Sequence, residues 1–250
     1  MKPLVLRIFI LFVFIYPLSG QEIDLEDRLI LLLHFNGNAV DESGENVPVM
    51  VNGPVLTADR FGNPASAYLF DGIDDCIGIN NQLPLITSES FSISLWARVN
   101  GRSFSSNQCN SLFEQRDDDS APSSARSTIH FNAEYDGQIT FNLRSSVIGS
   151  IHAIRCDYSY DENWHHYLAI LDEEKTMRIY VDGQLYCWGT FPSDGDFVTD
   201  IDHVNLGSHH YQGWQMGAFN GVMDEVYIYN RALNLCEIEA LYSGQLLDER

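Results

Sequence analysis

Three acidic residues at alternate positions near the N-terminus have the spacing that glycoside hydrolysis can use. They are Glu22, Asp24 and Glu26. On a strand, alternate residues point to one face, so the three carboxylates would lie side by side. A retaining glycosidase needs two carboxyl groups about 5 Å apart, and a third acid can tune their proton affinities. These residues precede the first convincing strand, however, and acidic N-terminal tails are common. We therefore interpret residues 21–28 as an acidic tail and predict no catalytic residue.

The sequence also offers little support for nucleophilic catalysis. No serine lies in a G-x-S-x-G motif, and the eight histidines are scattered. His165 and His166 follow Trp164 in a predicted strand, so we expect one of them to face the core and the other to face outward. We interpret both as structural residues, and we predict that the chain is not an enzyme.

Two segments combine the aromatic faces and planar polar groups that sugars require. One is the outward face of a predicted strand, with Trp96 and Arg98. The other is a predicted loop over residues 209–214, with His209, Tyr211 and Trp214. Loops at the rim of a rigid sheet often carry recognition, so the loop is the stronger prediction. The alternatives are that Trp96 packs beneath a crossing segment and that the aromatic loop packs on itself.

Hydrophobic periodicity predicts the elements that would position these residues. Residues 91–99 alternate, with Phe91, Ile93 and Leu95 on the core face and Trp96 on an open face. Similar short strands are predicted at 128–133, 138–143, 150–156, 164–171, 177–181, 184–189, 203–208 and 221–229. A helix follows, with Asn234 as N-cap, Glu237 completing a capping box and Gly244 as the stop. About a dozen strands and one late helix predict an all-β, two-sheet sandwich.

Motifs in the order of one known family extend along most of the chain. They are 29–44 (LILLLHFNGNAVDESG), 70–77 (FDGIDDCI), 91–99 (FSISLWARV), 164–169 (WHHYLA), 179–183 (IYVDG) and 221–229 (GVMDEVYIY). Together they resemble a laminin-G-like domain of the concanavalin A-like lectin and glucanase superfamily, over residues 29–245. The resemblance implies an antiparallel jelly roll with a short C-terminal helix. Retaining glucanases of that superfamily carry an E-x-D-x-E motif on a central strand, whereas Glu22 to Glu26 lie before the first strand.

The same resemblance implies a structural calcium site. Asp41 and Asp224 resemble positions that hold calcium in several relatives, and Asn38 would be a third oxygen donor. Pairing of the first and last strands would bring these positions together. The alternative is that Asp41 caps a turn and Asp224 pairs with a surface arginine.

The N-terminus predicts export. Lys2 and Arg7 precede an apolar run over residues 8–18, and Ser19 and Gly20 follow, as in a secretory signal peptide cleaved after residue 20. The run is too short for a membrane span. The formal net charge of −21 disfavours nucleic acid and anionic lipid as partners. Residues 246–250 would form a short C-terminal tail.

An exported chain with five cysteines is expected to form up to two disulfides. Sequence spacing leaves the pairing open. Our first choice is Cys109 with Cys156, because both lie beside predicted loops, and the second is Cys76 with Cys236. Cys187 is then a buried, unpaired thiol.

Taken together, these patterns predict a secreted recognition module for carbohydrate or a glycosylated surface. Members of the family bind glycans, bind proteins or serve as accessory modules, so a protein-binding adhesion module is the first alternative. A glycan-cleaving enzyme on the same fold is the second.

Overall fold

A computed structural model describes residues 23–79, 86, 89–104, 109–116, 127–134, 137–144, 151–192, 203–211 and 214–244. Within this part the chain forms strands and one short helix. The elements are β1 (Leu29–Leu33), β2 (Val49–Asn52), β3 (Val55–Thr57), β4 (Ala67–Asp71), β5 (Cys76–Ile79), β6 (Phe91–Val99), β7 (Asn110–Arg116), β8 (Ser127–Glu134), β9 (Gln138–Arg144), β10 (Ile151–Asp157), β11 (Trp164–Leu171), β12 (Thr176–Val181), β13 (Gln184–Thr190), β14 (His203–Leu206), β15 (Ser208–Tyr211), β16 (Trp214–Ala218), β17 (Asn220–Tyr229) and α1 (Leu235–Ser243).

The strands form two large antiparallel sheets and a hairpin. The eight-stranded sheet has the order β13-β12-β11-β6-β17-β4-β3, and β1 also pairs with β17. The seven-stranded sheet has the order β10-β9-β8-β7-β14-β5-β2, and β15 pairs with β16. The predicted two-sheet jelly-roll sandwich with a C-terminal helix is therefore confirmed.

The main core lies between the two sheets. Phe91, Ile93 and Leu95 point inward from β6 with no exposed surface, as their alternation predicted. Phe131 and Phe141 point inward from the opposite sheet, and the Phe91 and Phe141 rings meet edge to face with centroids 6.0 Å apart. Burial of these large apolar surfaces is the main force that holds the two layers together.

The outer face of the eight-stranded sheet carries a second, smaller core beneath α1. Ile238 and Leu241 of the helix pack with Leu168 and Tyr229 of the sheet. We predicted that the outward face of β6 lies open, and this is wrong for its first half, because Ser92 is fully buried here. Periodicity identifies two faces of a strand, but it cannot show which segment later crosses the second face.

Helix α1 begins with the predicted capping box. The Asn234 side chain accepts hydrogen bonds from the backbone N–H groups of Cys236 and Glu237, and the Glu237 side chain accepts one from the Asn234 N–H. Gly244 ends the helix in the left-handed conformation, with φ 67°. These contacts satisfy backbone groups that a helix end otherwise leaves unpaired.

Replacement of Asn234 by alanine is expected to lower the free energy of unfolding by about 1–2 kcal/mol, because α1 loses its N-cap acceptor. Chemical denaturation measures this loss. Asn163→Ala is the matched control, since Asn163 is exposed in a turn before β11. Equal stability of the two variants would show that the cap does not stabilise the fold.

The predicted loop over 209–214 is instead part of a hairpin, β15–β16. Gly207, with φ 81°, redirects the chain out of β14, and an added Cβ there would lie 2.3 Å from the Phe70 ring. The Ser111 hydroxyl donates to the Ser208 carbonyl oxygen over 3.0 Å. The hairpin therefore packs against the end of β7, which the local sequence did not indicate.

One disulfide joins the two sheets, between Cys156 and Cys187, whose Cα atoms are 6.3 Å apart. Both predicted pairings are wrong, because Cys156 pairs with Cys187 rather than with Cys109, and Cys76 and Cys236 are free thiols. Cys156 lies on β10 and Cys187 on β13, which are edge strands of different sheets on the same side of the sandwich. Only the packing of the sheets brings these two edges together.

The described part of the acidic N-terminal segment forms a turn. The Asp24 carboxylate accepts hydrogen bonds from the N–H groups of Glu26 and Asp27, each over 3.1 Å. The strand that would align three carboxylates is therefore not formed here; Glu22 and the predicted signal peptide lie outside the described residues. Among the described residues, no helix is both long and apolar enough to cross a membrane.

Candidate functional site

The outer face of the seven-stranded sheet carries hydrogen-bonding side chains across its central strands. Phe113, Phe131 and Phe141 point inward, so their neighbours in β7, β8 and β9 point outward, except Leu112, which lies in the core at a bulge. We call this surface the polar face; it comprises Ser111, Glu114, Arg116, His130, Asn132, Thr140, Asn142 and Arg144. An outer sheet face without apolar side chains on three adjacent strands is suited to contact with polar groups.

Strand register sets these groups in rows. Glu114 is opposite His130, which is opposite Asn142. Side chains opposite each other across antiparallel strands have Cβ atoms about 5 Å apart, so the three form one continuous row. In the next row the Thr140 hydroxyl donates to Asn132 Oδ1 over 2.7 Å. The rows therefore place carboxylate, imidazole and amide groups side by side.

The polar face is shielded from solvent, which makes it costly to maintain. Glu114 and Asn132 have no exposed surface, and Arg116 Nε lies 3.8 Å from Glu114 Oε2. Asn142 Oδ1 is buried and accepts no hydrogen bond from the described residues. Burial of polar groups opposes folding unless partners satisfy them. Glu114 lies next to Arg116 and Asn132 accepts from Thr140, so both have such partners.

The β15–β16 hairpin lies beside this face. Ser111 belongs to the polar face and holds the hairpin through its bond to the Ser208 carbonyl, and β15 contacts both β7 and β8. His209, Tyr211 and Trp214 lie on the hairpin, but their side chains are outside the described part. Their role in ligand binding stays a prediction. The hairpin that carries them lies next to the polar face.

The other predicted binding surface, at Trp96 and Arg98, is covered. The Trp96 ring stacks on Tyr242 of α1, with centroids 5.9 Å apart and planes 15° apart. Arg98 Nε donates to Asn100 Oδ1 over 3.1 Å, and its guanidinium lies 5.8 Å from the centroid of the Trp164 ring. Trp96 therefore does not form an open aromatic platform. It packs beneath a crossing segment, as the alternative predicted, and that segment is α1.

Arg60 forms a buried charge cluster beside Trp96. Its guanidinium carbon lies 4.6 Å from the centroid of the Trp96 ring and 4.5 Å from that of Phe61. Nη1 donates to Asp224 Oδ2 over 2.7 Å, and both side chains are less than a tenth exposed. Burial, with the adjacent Glu225 charge, raises the pKa of Asp224 to about 7 even though Arg60 opposes this.

The Asp224–Glu225 pair occupies a β-bulge at which β17 changes neighbours from β4 to β1. Glu225 has φ 51°, an uncommon conformation for a residue other than glycine. Its carboxylate lies 2.7 Å from His34 Nδ1 and accepts a hydrogen bond from the Tyr227 hydroxyl over 2.9 Å. The bulge thus turns two adjacent carboxylates toward two separate partners.

The predicted calcium ligands have protein partners of their own. The Asp41 carboxylate accepts hydrogen bonds from the N–H groups of Leu32, Ser43 and Val47. Asn38 Oδ1 accepts one from the Val40 N–H over 2.8 Å. Asp224 is paired with Arg60. These contacts correspond to the alternative in which Asp41 caps a turn and Asp224 pairs with an arginine. The calcium site itself stays a prediction.

A different group of carboxylates has the spacing of a cation site. Potential ligand oxygens of Asp71, Asp74 and Asp75 all lie within 4.8 Å of one another. Asp75 is buried, which raises its pKa, and its Oδ2 accepts a hydrogen bond from the Asp71 N–H over 2.9 Å. Hard cations such as calcium prefer oxygen ligands, so these three residues could hold one.

Sequence reasoning missed both the polar face and Arg60. The polar face had a usable signal, because β7, β8 and β9 each place a polar residue directly beside a core phenylalanine. Arg60 had no comparable signal in the sequence, because its partner Asp224 lies 164 residues away in the chain.

Comparison with known proteins supports the fold. The receptor binding domain of botulinum neurotoxin D is similar to this chain, with TM-score 0.66 and 20% identity over 90% of this chain and 54% of that one. The binding domain of botulinum neurotoxin DC is similar in its complex with SialylT (TM-score 0.66, 20% identity, 88% and 52% covered). It is also similar in its complex with rat synaptotagmin II (TM-score 0.65, 19% identity, 88% and 52% covered). The chain spans about half the length of these proteins, and no curated protein sequence matches it.

One family model matches residues 71–239, which is more than half of the chain, and is described as the concanavalin A-like lectin/glucanases superfamily. The match begins at the last residue of β4 and ends inside α1, so it includes strands β5 to β17 from both sheets. The motifs, the two-sheet topology and this match agree, and the chain therefore belongs to the laminin-G-like family of the concanavalin A-like lectin/glucanase superfamily.

Proposed function

We propose that this protein is a secreted, non-enzymatic module that binds carbohydrate across the polar face, beside the β15–β16 hairpin. The observation that carries the proposal is the row of Glu114, His130 and Asn142 across three strands. Carboxylate, imidazole and amide groups together offer donors and acceptors to sugar hydroxyls. These side chains are little exposed, and the low local dielectric strengthens each hydrogen bond that they make.

The hairpin supports the same assignment. Sugars also need an aromatic surface for their C–H faces, and the hairpin carries Tyr211 and Trp214 next to the polar face. A similar fold, the binding domain of botulinum neurotoxin DC, has been solved in complex with SialylT. A polar row with aromatic residues beside it therefore favours carbohydrate as the ligand class.

The carboxylate inventory supports binding without cleavage. Among the side chains described on the outer faces of β7, β8 and β9, Glu114 is the one carboxylate. Retaining and inverting glycosidases both use a carboxyl pair across the scissile bond. The Cys156–Cys187 disulfide supports a site of action outside the cell, where oxidising conditions preserve such bonds.

A glycan array of the exported chain, residues 21–250, tests the proposal. We expect a defined set of bound glycans. Parallel arrays with calcium and with chelator also test the predicted calcium site, because a bound ion that orders the ligand surface would make the hits calcium-dependent. A blank array from protein with a cooperative melt would count against carbohydrate as the ligand.

Asn142→Ala is expected to weaken binding of an array hit about five- to tenfold, the effect of losing one hydrogen bond of about 1 kcal/mol. Its Oδ1 has no described protein partner, so the melting temperature should change little. Isothermal titration calorimetry measures the affinity, and Asn163→Ala, on an exposed turn, is the matched control. Equal affinities of the two variants would remove Asn142 from the site.

A protein ligand is the second candidate, because β13 exposes apolar side chains at the sheet edge. Trp188 is 64% exposed, and Tyr186 and Leu185 are nearly half exposed. Exposed apolar patches of this kind often contact other proteins. The binding domain of botulinum neurotoxin DC has also been solved with rat synaptotagmin II. A partner captured by the wild type and lost with Trp188→Ala would favour this second function.

A further inference from the structure

A cavity lies between α1 and the outer face of the eight-stranded sheet, on the side of the sandwich away from the polar face. Its volume is about 120 Å³, and we call it the α1 cavity. Leu29, Leu32 and Leu241 contribute to its apolar wall, and Ser94, Trp96 and His166 contribute to its polar floor. Apolar walls with a few convergent polar groups are typical of small-molecule sites.

The polar floor contains hydrogen-bonding groups that the described protein leaves unpaired. His166 is 1% exposed, and its Nε2 lies 2.7 Å from the Ser94 hydroxyl, but its Nδ1 has no hydrogen-bond partner. Trp96 Nε1 is also buried without a partner. Unpaired buried polar atoms each cost about 1–3 kcal/mol, so a bound group that satisfied them would be favoured.

The protonation state of His166 narrows the chemistry of that group. Burial, with a smaller effect of Arg60, lowers the His166 pKa to about 3, so the ring is neutral at pH 7. A neutral imidazole has one donor and one acceptor nitrogen, and the bond with Ser94 uses one of them. The Trp96 N–H can only donate. A hydroxyl group both donates and accepts, so it can satisfy the Trp96 N–H and either tautomer of His166.

The size of the α1 cavity limits the rest of the ligand. An engineered cavity of about 150 Å³ accommodates benzene. The α1 cavity is slightly smaller but opens at its mouth, so it suits a single small ring or a short chain. Apolar walls favour a hydrocarbon body.

Charge at the mouth excludes one ligand class. The carboxylates of Glu26, Glu42 and Glu225 line the cavity, the first two exposed, and the lining cation Arg60 is already paired with Asp224. Gly244 marks the C-terminal end of α1. A helix C-terminus carries partial negative charge. A ligand with its own carboxylate would be repelled, whereas a neutral ligand would not.

We infer that the α1 cavity is a binding site for small, neutral, hydroxyl-bearing apolar molecules such as phenols and cyclic alcohols. The hydroxyl lies on the floor between Trp96 and His166, and the hydrocarbon body lies against the leucines. This site is separate from the polar face and does not depend on carbohydrate binding there.

Phenol and toluene provide a test, because they have nearly the same shape and differ in the hydroxyl. Titration of the exported chain by ligand-observed NMR should show saturable phenol binding, with toluene at least tenfold weaker because it leaves the floor unpaired. Benzoate should also bind more weakly than phenol. Absence of saturable phenol binding would show that the cavity holds only water, and equal affinity for toluene would show that the polar floor is not used.

Two variants test the location. Ala240→Leu adds a side chain into the cavity and should abolish phenol binding, whereas Glu239→Leu, on the exposed side of α1, should not. His166→Phe keeps a ring but removes Nδ1, so its phenol affinity should fall toward that for toluene, with the Trp96 N–H as the remaining donor. Thermal melts identify variants that fail to fold. Phenol binding that survives in folded Ala240→Leu, or that keeps wild-type affinity in folded His166→Phe, would overturn the assignment.

Discussion

Replacement of Arg60 by methionine is expected to lower the free energy of unfolding by about 3–5 kcal/mol at pH 8, the cost of breaking a buried ion pair. Arg60 is the counter-ion of Asp224, whose side chain is 2% exposed. Methionine keeps apolar contact with Trp96 but leaves the carboxylate buried without its partner. Urea denaturation measures the loss.

The cost of Arg60→Met should depend on pH. The folded-state pKa of Asp224 is raised from 3.8 to about 7, so the folded state binds this proton more tightly than the unfolded state. Its contribution to stability therefore increases as pH falls from 8 toward 4. At pH 5 Asp224 is largely neutral, so loss of Arg60 removes a hydrogen bond and ring stacking, about 1–2 kcal/mol.

Arg98→Met is the matched control for Arg60→Met. Arg98 lies on the same face of the sheet, but it is half-buried, and its Nε donates to the neutral Asn100 side chain. Its loss should cost less than about 1 kcal/mol at either pH. If the two variants lose equal stability at pH 8, the Arg60–Asp224 pair is not a buried ion pair.

Removal of the disulfide is the second change that should strongly lower the free energy of unfolding. The double variant Cys156→Ser with Cys187→Ser should lose about 3–4 kcal/mol, because the bond closes a sequence separation of 31 residues. For a domain of this size the melting temperature should fall by about 10 °C. Calorimetry with and without reductant measures this, and reduced wild type should melt near the double variant.

Cys236→Ser is the control for the disulfide, because Cys236 is a free, half-buried thiol at the start of α1. This variant should keep both its melting temperature and its response to reductant. A wild-type melt that reductant leaves unchanged would contradict the Cys156–Cys187 bond. Peptide mapping under non-reducing conditions identifies the pair directly.

Local features were predicted from sequence because their physics is local. The α1 capping box depends on Asn234 and Glu237, which lie within one helical turn. The bounds of β11 were also predicted to the residue, since alternation and flanking turns mark a strand without knowledge of its partners. Family motifs added the jelly-roll topology, which periodicity alone does not contain.

Features that depend on contacts between distant segments were missed or misplaced. For Trp96 the sequence left open an exposed platform or packing beneath a crossing segment, and only the structure shows that Tyr242 of α1 stacks on it. The polar residues of β7, β8 and β9 were visible, but the register that places Glu114, His130 and Asn142 in one row was not. Alternation along a strand indicates that its two faces differ, but it does not indicate which segment packs against each face.

By itself, the sequence determined an all-β sandwich, its C-terminal helix and the family, because alternation, capping and family motifs depend on residues that are close together in the chain. Only the tertiary structure decided which strand faces are covered, which cysteines pair and which charge neutralises Asp224. Cys156 with Cys187 and Arg60 with Asp224 are brought together by sheet packing and strand order. Such contacts carry no signal at short range, since they form only when the two sheets and α1 have closed on their shared cores.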